Sequence, residues 1–104
     1  MADRETKLIA GRYLSALQLR GIPITAAYLF GSRVKGNARK DSDIDIALVS
    51  PGYSSFDDEK SAALWLVRDP SLLDIEPHAF SPEDFENGND PMVHEIKTTG
   101  ERIA

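Results

Sequence analysis

The chain contains no cysteine, which excludes disulfides, thiolate metal sites and cysteine nucleophiles. No stretch approaches the apolar length of a bilayer-crossing helix. Residues Met1 to Lys7 are polar and mixed in charge, unlike a signal sequence, so the expected location is the cytoplasm. Excess positive charge is also missing. The net charge of -5 disfavours non-specific duplex binding, which needs a basic surface to replace counterions. Tryptophan occurs once, at Trp65, and histidine twice, at His78 and His94. With 104 residues the chain has room for one modest core and is read as a single domain over residues 1–104.

What is present alternates between helical and extended patterns. Asp3 to Arg20 places Leu8, Ile9, Tyr13, Ala16 and Leu17 near helical spacing, and Gly21 with Pro23 ends the run. Ile24 to Phe30 is short and apolar, a strand pattern that Gly31-Ser32 breaks. Ser32 is placed to cap a short helix reaching about Asn37. Asp43 to Val49 alternates, with Asp43, Asp45 and Ala47 on one face and Ile44, Ile46 and Leu48 on the other. Ser50-Pro51-Gly52 reads as a turn. Phe56 to Arg68 reads as a long helix with Trp65 as its core anchor, stopped by Asp69-Pro70. Leu72 to Phe80 alternates again, with Leu73, Ile75 and Ala79 opposite Asp74, Glu76 and His78. Ser81-Pro82-Glu83 starts a helix, the acidic stretch after it is solvated, and Met92 to Thr99 forms a last helix closed by Gly100. The pattern predicts an α+β (α/β-like) fold: a small mixed three-stranded sheet in sequence order with helices packed on one face. The first strand runs antiparallel to the second.

The bare face of that sheet then carries Asp43, Asp45, Asp74, Glu76 and His78. Two carboxylates two residues apart on a strand point the same way and repel unless a cation lies between them. Mg²⁺ prefers such oxygens and retains water, and a third carboxylate from the neighbouring strand completes a two-metal site. Both Asp74 and Glu76 are on the correct face. Ahead of the second strand, Gly31 lets backbone approach phosphate oxygens closely, and amides opening a helix favour an anion. Ser32 adds a hydroxyl donor. Four basic residues, Arg33, Lys35, Arg39 and Lys40, follow without an acid, and this loop suits a small anionic ligand better than a polymer. Arg33, Lys35 and Arg39 are within reach of bound phosphates. His78 reads first as a surface histidine, with a phosphate or acceptor contact as the alternative. His94, beside Glu95, reads as surface.

Gly31-Ser32, ten intervening residues, then Asp43-Ile44-Asp45: this spacing resembles the GS-x10-DxD signature of the DNA polymerase β superfamily. Gly36 and Ser42 also sit where small members carry glycine and serine. The tail from Ile75-Glu76-Pro77-His78 through Phe85 to Thr99-Gly100 is similar to that of many such members. The resemblance implies a single minimal nucleotidyltransferase domain, with Gly31, Ser32, Arg33, Arg39 and Ser42 around the nucleotide. It implies Asp43 and Asp45 as catalytic metal ligands for Mg²⁺ with ATP as substrate. It implies Glu76 as the third acid, with Asp74 as runner-up. Small stand-alone members resemble the antitoxin half of pairs with a helical HEPN-type toxin, where AMP is moved from ATP to a tyrosine of the toxin. The expected partner is therefore a small α-helical HEPN-type toxin, with self-association as a further expectation. The alternatives are a catalytically degenerate module that neutralises its partner by contact, and a transferase acting on a small-molecule or nucleic-acid acceptor.

Overall fold

Helix α1, Arg4–Leu19, forms where apolar side chains recur on one stripe, and it buries Ala10, Tyr13, Leu14 and Leu17 along that face. Its end is built by Gly21 at φ +76°, a left-handed conformation that costs glycine little. The Gly21 amide donates to the Gln18 carbonyl at 3.0 Å and the Ile22 amide to the Leu17 carbonyl at 3.1 Å. This paired closure satisfies carbonyls that the helix leaves open, and Ile22 packs against the cluster containing Leu17. The computed structural model describes residues 4–31, 43–51, 75–87 and 90–104. The expected helices at Ser32–Asn37 and Phe56–Arg68 lie outside the described residues, as does Trp65.

Strands β1 (Ala26–Phe30), β2 (Ile44–Val49) and β3 (Ile75–Phe80) form the sheet. β1 pairs antiparallel with β2, and β2 pairs parallel with β3, so the three stand side by side in chain order as the pattern predicts. The described residues add a fourth strand that the pattern did not show. β4, Glu101–Arg102, pairs antiparallel on the other edge of β1, giving the order β3-β2-β1-β4. A strand of two residues carries no alternation by which sequence could reveal it. It is held by its neighbours: the Ile103 amide donates to the Ala27 carbonyl at 2.9 Å, and Lys7 of α1 pairs with Glu101 at 2.9 Å.

Helices cover both faces rather than one. On the first face, α1 packs on Ala27 and Leu29 of β1, Ile44, Ile46 and Leu48 of β2, and Ile75 and Ala79 of β3. On the second face, two short helices close over one end: α2, Pro82–Glu86, and α3, Pro91–Thr99. Phe85, Val93 and Ile96 from these helices meet Ala26, Phe30, Ala47, Val49 and Phe80. This explains why β1 is apolar at every position instead of alternating, since both of its faces are buried. Ser81 caps α2 by accepting from the Asp84 amide at 3.1 Å, and Asp90 caps α3 by accepting from the Met92 amide at 2.9 Å. Each helix then opens with proline, whose missing N–H costs nothing there. Gly100 is required for a different reason from Gly21. Its φ is an ordinary -72°, but a β-carbon there would strike the Ile96 carbonyl oxygen and lie 3.2 Å from the Leu29 carbonyl oxygen. Backbone crowding where α3 turns into β4 therefore admits only glycine.

Candidate active site

The second face of the sheet changes character along the strands. At one end Ala26, Val49 and Phe80 share a row under α2 and α3. In the middle row stand Tyr28, Ala47 and His78, and at the other end Phe30, Asp45 and Glu76. The ladder thus sets Asp45 and Glu76 side by side on adjacent strands, with side chains on the same face. His78 is two residues along β3 from Glu76 and leans back toward both. Its Nε2 lies 3.4 Å from Asp45 Oδ1 and 3.8 Å from Glu76 Oε1. One donor atom from each of the three residues falls within 4.8 Å of the other two. Their side chains are partly open to solvent, at 24%, 39% and 21% for Asp45, Glu76 and His78. That exposure leaves room for a ligand.

Gly31 closes the cluster from the end of β1. It has φ +81°, and a β-carbon built on it would overlap Asp45 Oδ2 and sit 3.2 Å from Asp45 Cγ. The carboxylate therefore occupies the space that any side chain at Gly31 would need. Phe30, nearly buried, presents its ring to the His78 imidazole at 5.2 Å between centroids and 63° between planes. This edge contact gives the imidazole a packed wall on one side.

The structure thus brings together Gly31, Asp45 and Glu76, and places beside them His78, which the sequence pattern reads first as a surface histidine. The signal for His78 was available in the alternation of β3, which puts it on the face of Glu76. Only the register with β2 shows how near it comes to Asp45. Asp43 is exposed, stands directly before the first paired residue of β2, and is not one of the three clustered donors. Ser32, Arg33, Lys35, Arg39, Ser42 and Asp74 lie outside the described residues. His94, on α3, is exposed.

The donor set fits a divalent cation. Two carboxylates and an imidazole converge without a lysine or arginine among the described contacts to neutralise them, and hard or borderline divalent ions take such ligands. The glycine cradle at Gly31 lets the chain pass against the carboxylate without a side chain intervening.

A sheet end where a glycine abuts a strand-borne carboxylate beside a second one is in keeping with nucleotidyltransferases, and the chain belongs to that class. It is a member of the polymerase beta nucleotidyltransferase family, whose model matches residues 17–104. No curated protein matches the sequence significantly. Among solved structures, the chain is similar to a toxin–antitoxin crystal structure with AMP-PNP, at 24% identity and a TM-score of 0.61, over 98% of this chain and 73% of that one. It is also similar to the toxin–antitoxin MntA–HpeT carrying two Asp-to-Glu substitutions, at 20% identity and a TM-score of 0.57, over 90% of this chain and 71% of that one. At these identities the likeness establishes the fold.

Proposed function

We propose that this chain is a Mg²⁺-dependent nucleotidyltransferase that moves AMP from ATP to a protein acceptor. The acceptor is a small α-helical HEPN-type toxin, so the chain acts as an antitoxin by adenylylation. The observation that carries this reading is the close fit of Gly31 against the Asp45 carboxylate beside Glu76. It joins the two halves of the GS-x10-DxD motif in a chain of the nucleotidyltransferase family. The similarity to toxin–antitoxin structures, one of them with AMP-PNP, supports the acceptor and the nucleotide.

In this reading Asp43, Asp45 and Glu76 hold the cation, and Ser32, Arg33, Arg39 and Ser42 face the phosphates beside Gly31. A bound divalent cation supplies charge neutralisation at the triphosphate and at the acceptor oxygen. The chain's own residues position the acceptor hydroxyl in line with the α-phosphorus. The acceptor oxygen bonds to that phosphorus and the bond to the β-bridging oxygen breaks. Pyrophosphate leaves, and the hydroxyl proton passes to a site carboxylate and on to solvent. Because such transfer depends on positioning and charge neutralisation, losing a carboxylate pair is severe.

The test is Asp43→Asn together with Asp45→Asn, following label from ATP onto the co-expressed product of the neighbouring reading frame. The expected result is loss of transfer by about a thousandfold or more, the scale on which electrostatic groups act in such sites. Undiminished transfer refutes the carboxylates' role. Persistent neutralisation of the partner by the double variant, without label, identifies contact inhibition instead.

A further inference from the structure

His78 differs in kind from the other members of the cluster. An imidazole is a poor ligand for Mg²⁺, which favours oxygen, and a better one for divalent first-row transition ions, among which Mn²⁺ is the weakest binder. The Nε2 atom stands 3.4 Å from one carboxylate oxygen and 3.8 Å from the other. The Asp45 contact is a long hydrogen bond; a charge-assisted one closes to about 2.7–2.9 Å, so Nε2 is only loosely held and lies within reach of both carboxylates. Around an octahedral cation with bonds of about 2.1 Å, neighbouring donors lie about 3 Å apart and opposite donors about 4.2 Å apart. The three donor atoms, all within 4.8 Å of one another, reach that spacing with small side-chain adjustments. The ring is also held in place, because β3 is fixed in the ladder at Ala47↔His78 and the Phe30 ring borders the imidazole at 5.2 Å.

We propose that His78 Nε2 is a direct metal ligand alongside Asp45 and Glu76, and that it biases the site toward Mn²⁺ over Mg²⁺. The inference rests on the nucleotidyltransferase reading, which places a cation on Asp45 and Glu76 together with Asp43. It adds a nitrogen donor to a site that the motif alone would build from oxygen.

The chain has two histidines and no cysteine, so a nitrogen signal from bound metal has few sources. The full chain is loaded with Mn²⁺ alone and the electron spin echo is recorded for modulation from a ligand nitrogen. Wild type and His94→Gln show the modulation of one imidazole, and His78→Gln loses it. In parallel, His78→Gln weakens Mn²⁺ about tenfold or more, the scale of lost support at metal sites, and leaves Mg²⁺ within about twofold. The absence of nitrogen modulation in wild type overturns the proposal without any variant. An unchanged ratio of Mn²⁺ to Mg²⁺ affinity in His78→Gln also overturns it. Asp45→Asn separates the two levels. If it abolishes Mn²⁺ binding while wild type shows no nitrogen signal, only the role of His78 falls. If it leaves Mn²⁺ binding intact, the nucleotidyltransferase reading of the site falls with it.

Discussion

Replacing Gly31 by alanine should damage the site through two separable costs. The first is conformational. Gly31 has φ +81°, and an L-residue with a β-carbon held in the left-handed region costs about 1–2 kcal/mol. The second is steric, because the new methyl would occupy the position of Asp45 Oδ2. The carboxylate must turn aside to admit it, and Cγ only 3.2 Å away limits that movement, so a cost of about 1–3 kcal/mol is expected. Gly21 isolates the first cost: its φ is +76° and a β-carbon there meets nothing within 4 Å. Gly21→Ala should therefore lower stability by the conformational cost alone, about 4–16 °C in Tm at about 4–8 °C per kcal/mol. Metal binding should be unaffected. Gly31→Ala should cost about 2–5 kcal/mol in total and also weaken metal binding, because the carboxylate is displaced. The decisive measurement is a double-mutant cycle by urea unfolding. In an Asp45→Ala background only the β-carbon of residue 45 remains, 3.5 Å from the new methyl, an ordinary contact. The steric part should vanish there, leaving Gly31→Ala no costlier than Gly21→Ala, with a coupling of about 1–3 kcal/mol. If the two single glycine substitutions cost the same in wild type, or if the cycle shows no coupling, the packing of Gly31 against Asp45 is wrong.

Sequence legibility followed the physical scale of each feature. α1 was readable within a residue or so at each end, because Ala10, Tyr13, Leu14 and Leu17 repeat at helical spacing and Gly21 stops the run. β2 was readable because Ile44, Ile46 and Leu48 alternate with polar or small neighbours. The antiparallel pairing of β1 and β2 followed from the motif, which needs Gly31 near the start of β2, and the register Phe30↔Asp45 meets that need. β4 was not readable, since its two residues exist as a strand only because β1 offers an open edge. The covering of the second face was missed for a related reason. Each of α2 and α3 contributes only one or two buried side chains, Phe85 from the first and Val93 and Ile96 from the second, too few to show which face they serve. The nearness of His78 to Asp45 is not legible in the sequence, because strand alternation gives the face of a residue but not its distance from the next strand. The 3.4 Å approach to Asp45 depends on the parallel register, which spacing within one strand does not encode.

Further outcomes follow from other positions. Gly11→Ala, in α1 with nothing within 4 Å of the new methyl, should raise stability by about 1 kcal/mol, read as a higher Tm by circular dichroism. Leu29→Ala, at a fully buried position of the central strand β1, should cost about 2–5 kcal/mol, read as a lower urea midpoint. Asp90→Ala removes the side chain that caps α3 at 2.9 Å and should cost about 1 kcal/mol. Asp45→Asn should show how function and stability oppose each other at the sheet end. In chelator, Asp45 and Glu76 are like charges on neighbouring strands, within the 4.8 Å donor cluster, so removing one charge relieves repulsion. The variant should then melt at or above the wild-type temperature. With metal at about one hundred times its Kd, wild type gains about 2.7 kcal/mol by mass action, an upward shift of about 10–20 °C in Tm, while Asp45→Asn gains almost nothing. Differential scanning calorimetry in chelator and in Mn²⁺ reads both effects. A variant less stable than wild type in chelator would mean that Asp45 is retained as a structural hydrogen-bonding group. A metal-induced shift equal to the wild type's would mean that the cation binds elsewhere. The expected pattern, a stable variant indifferent to metal, is that of a carboxylate pair that opposes folding until a cation joins it.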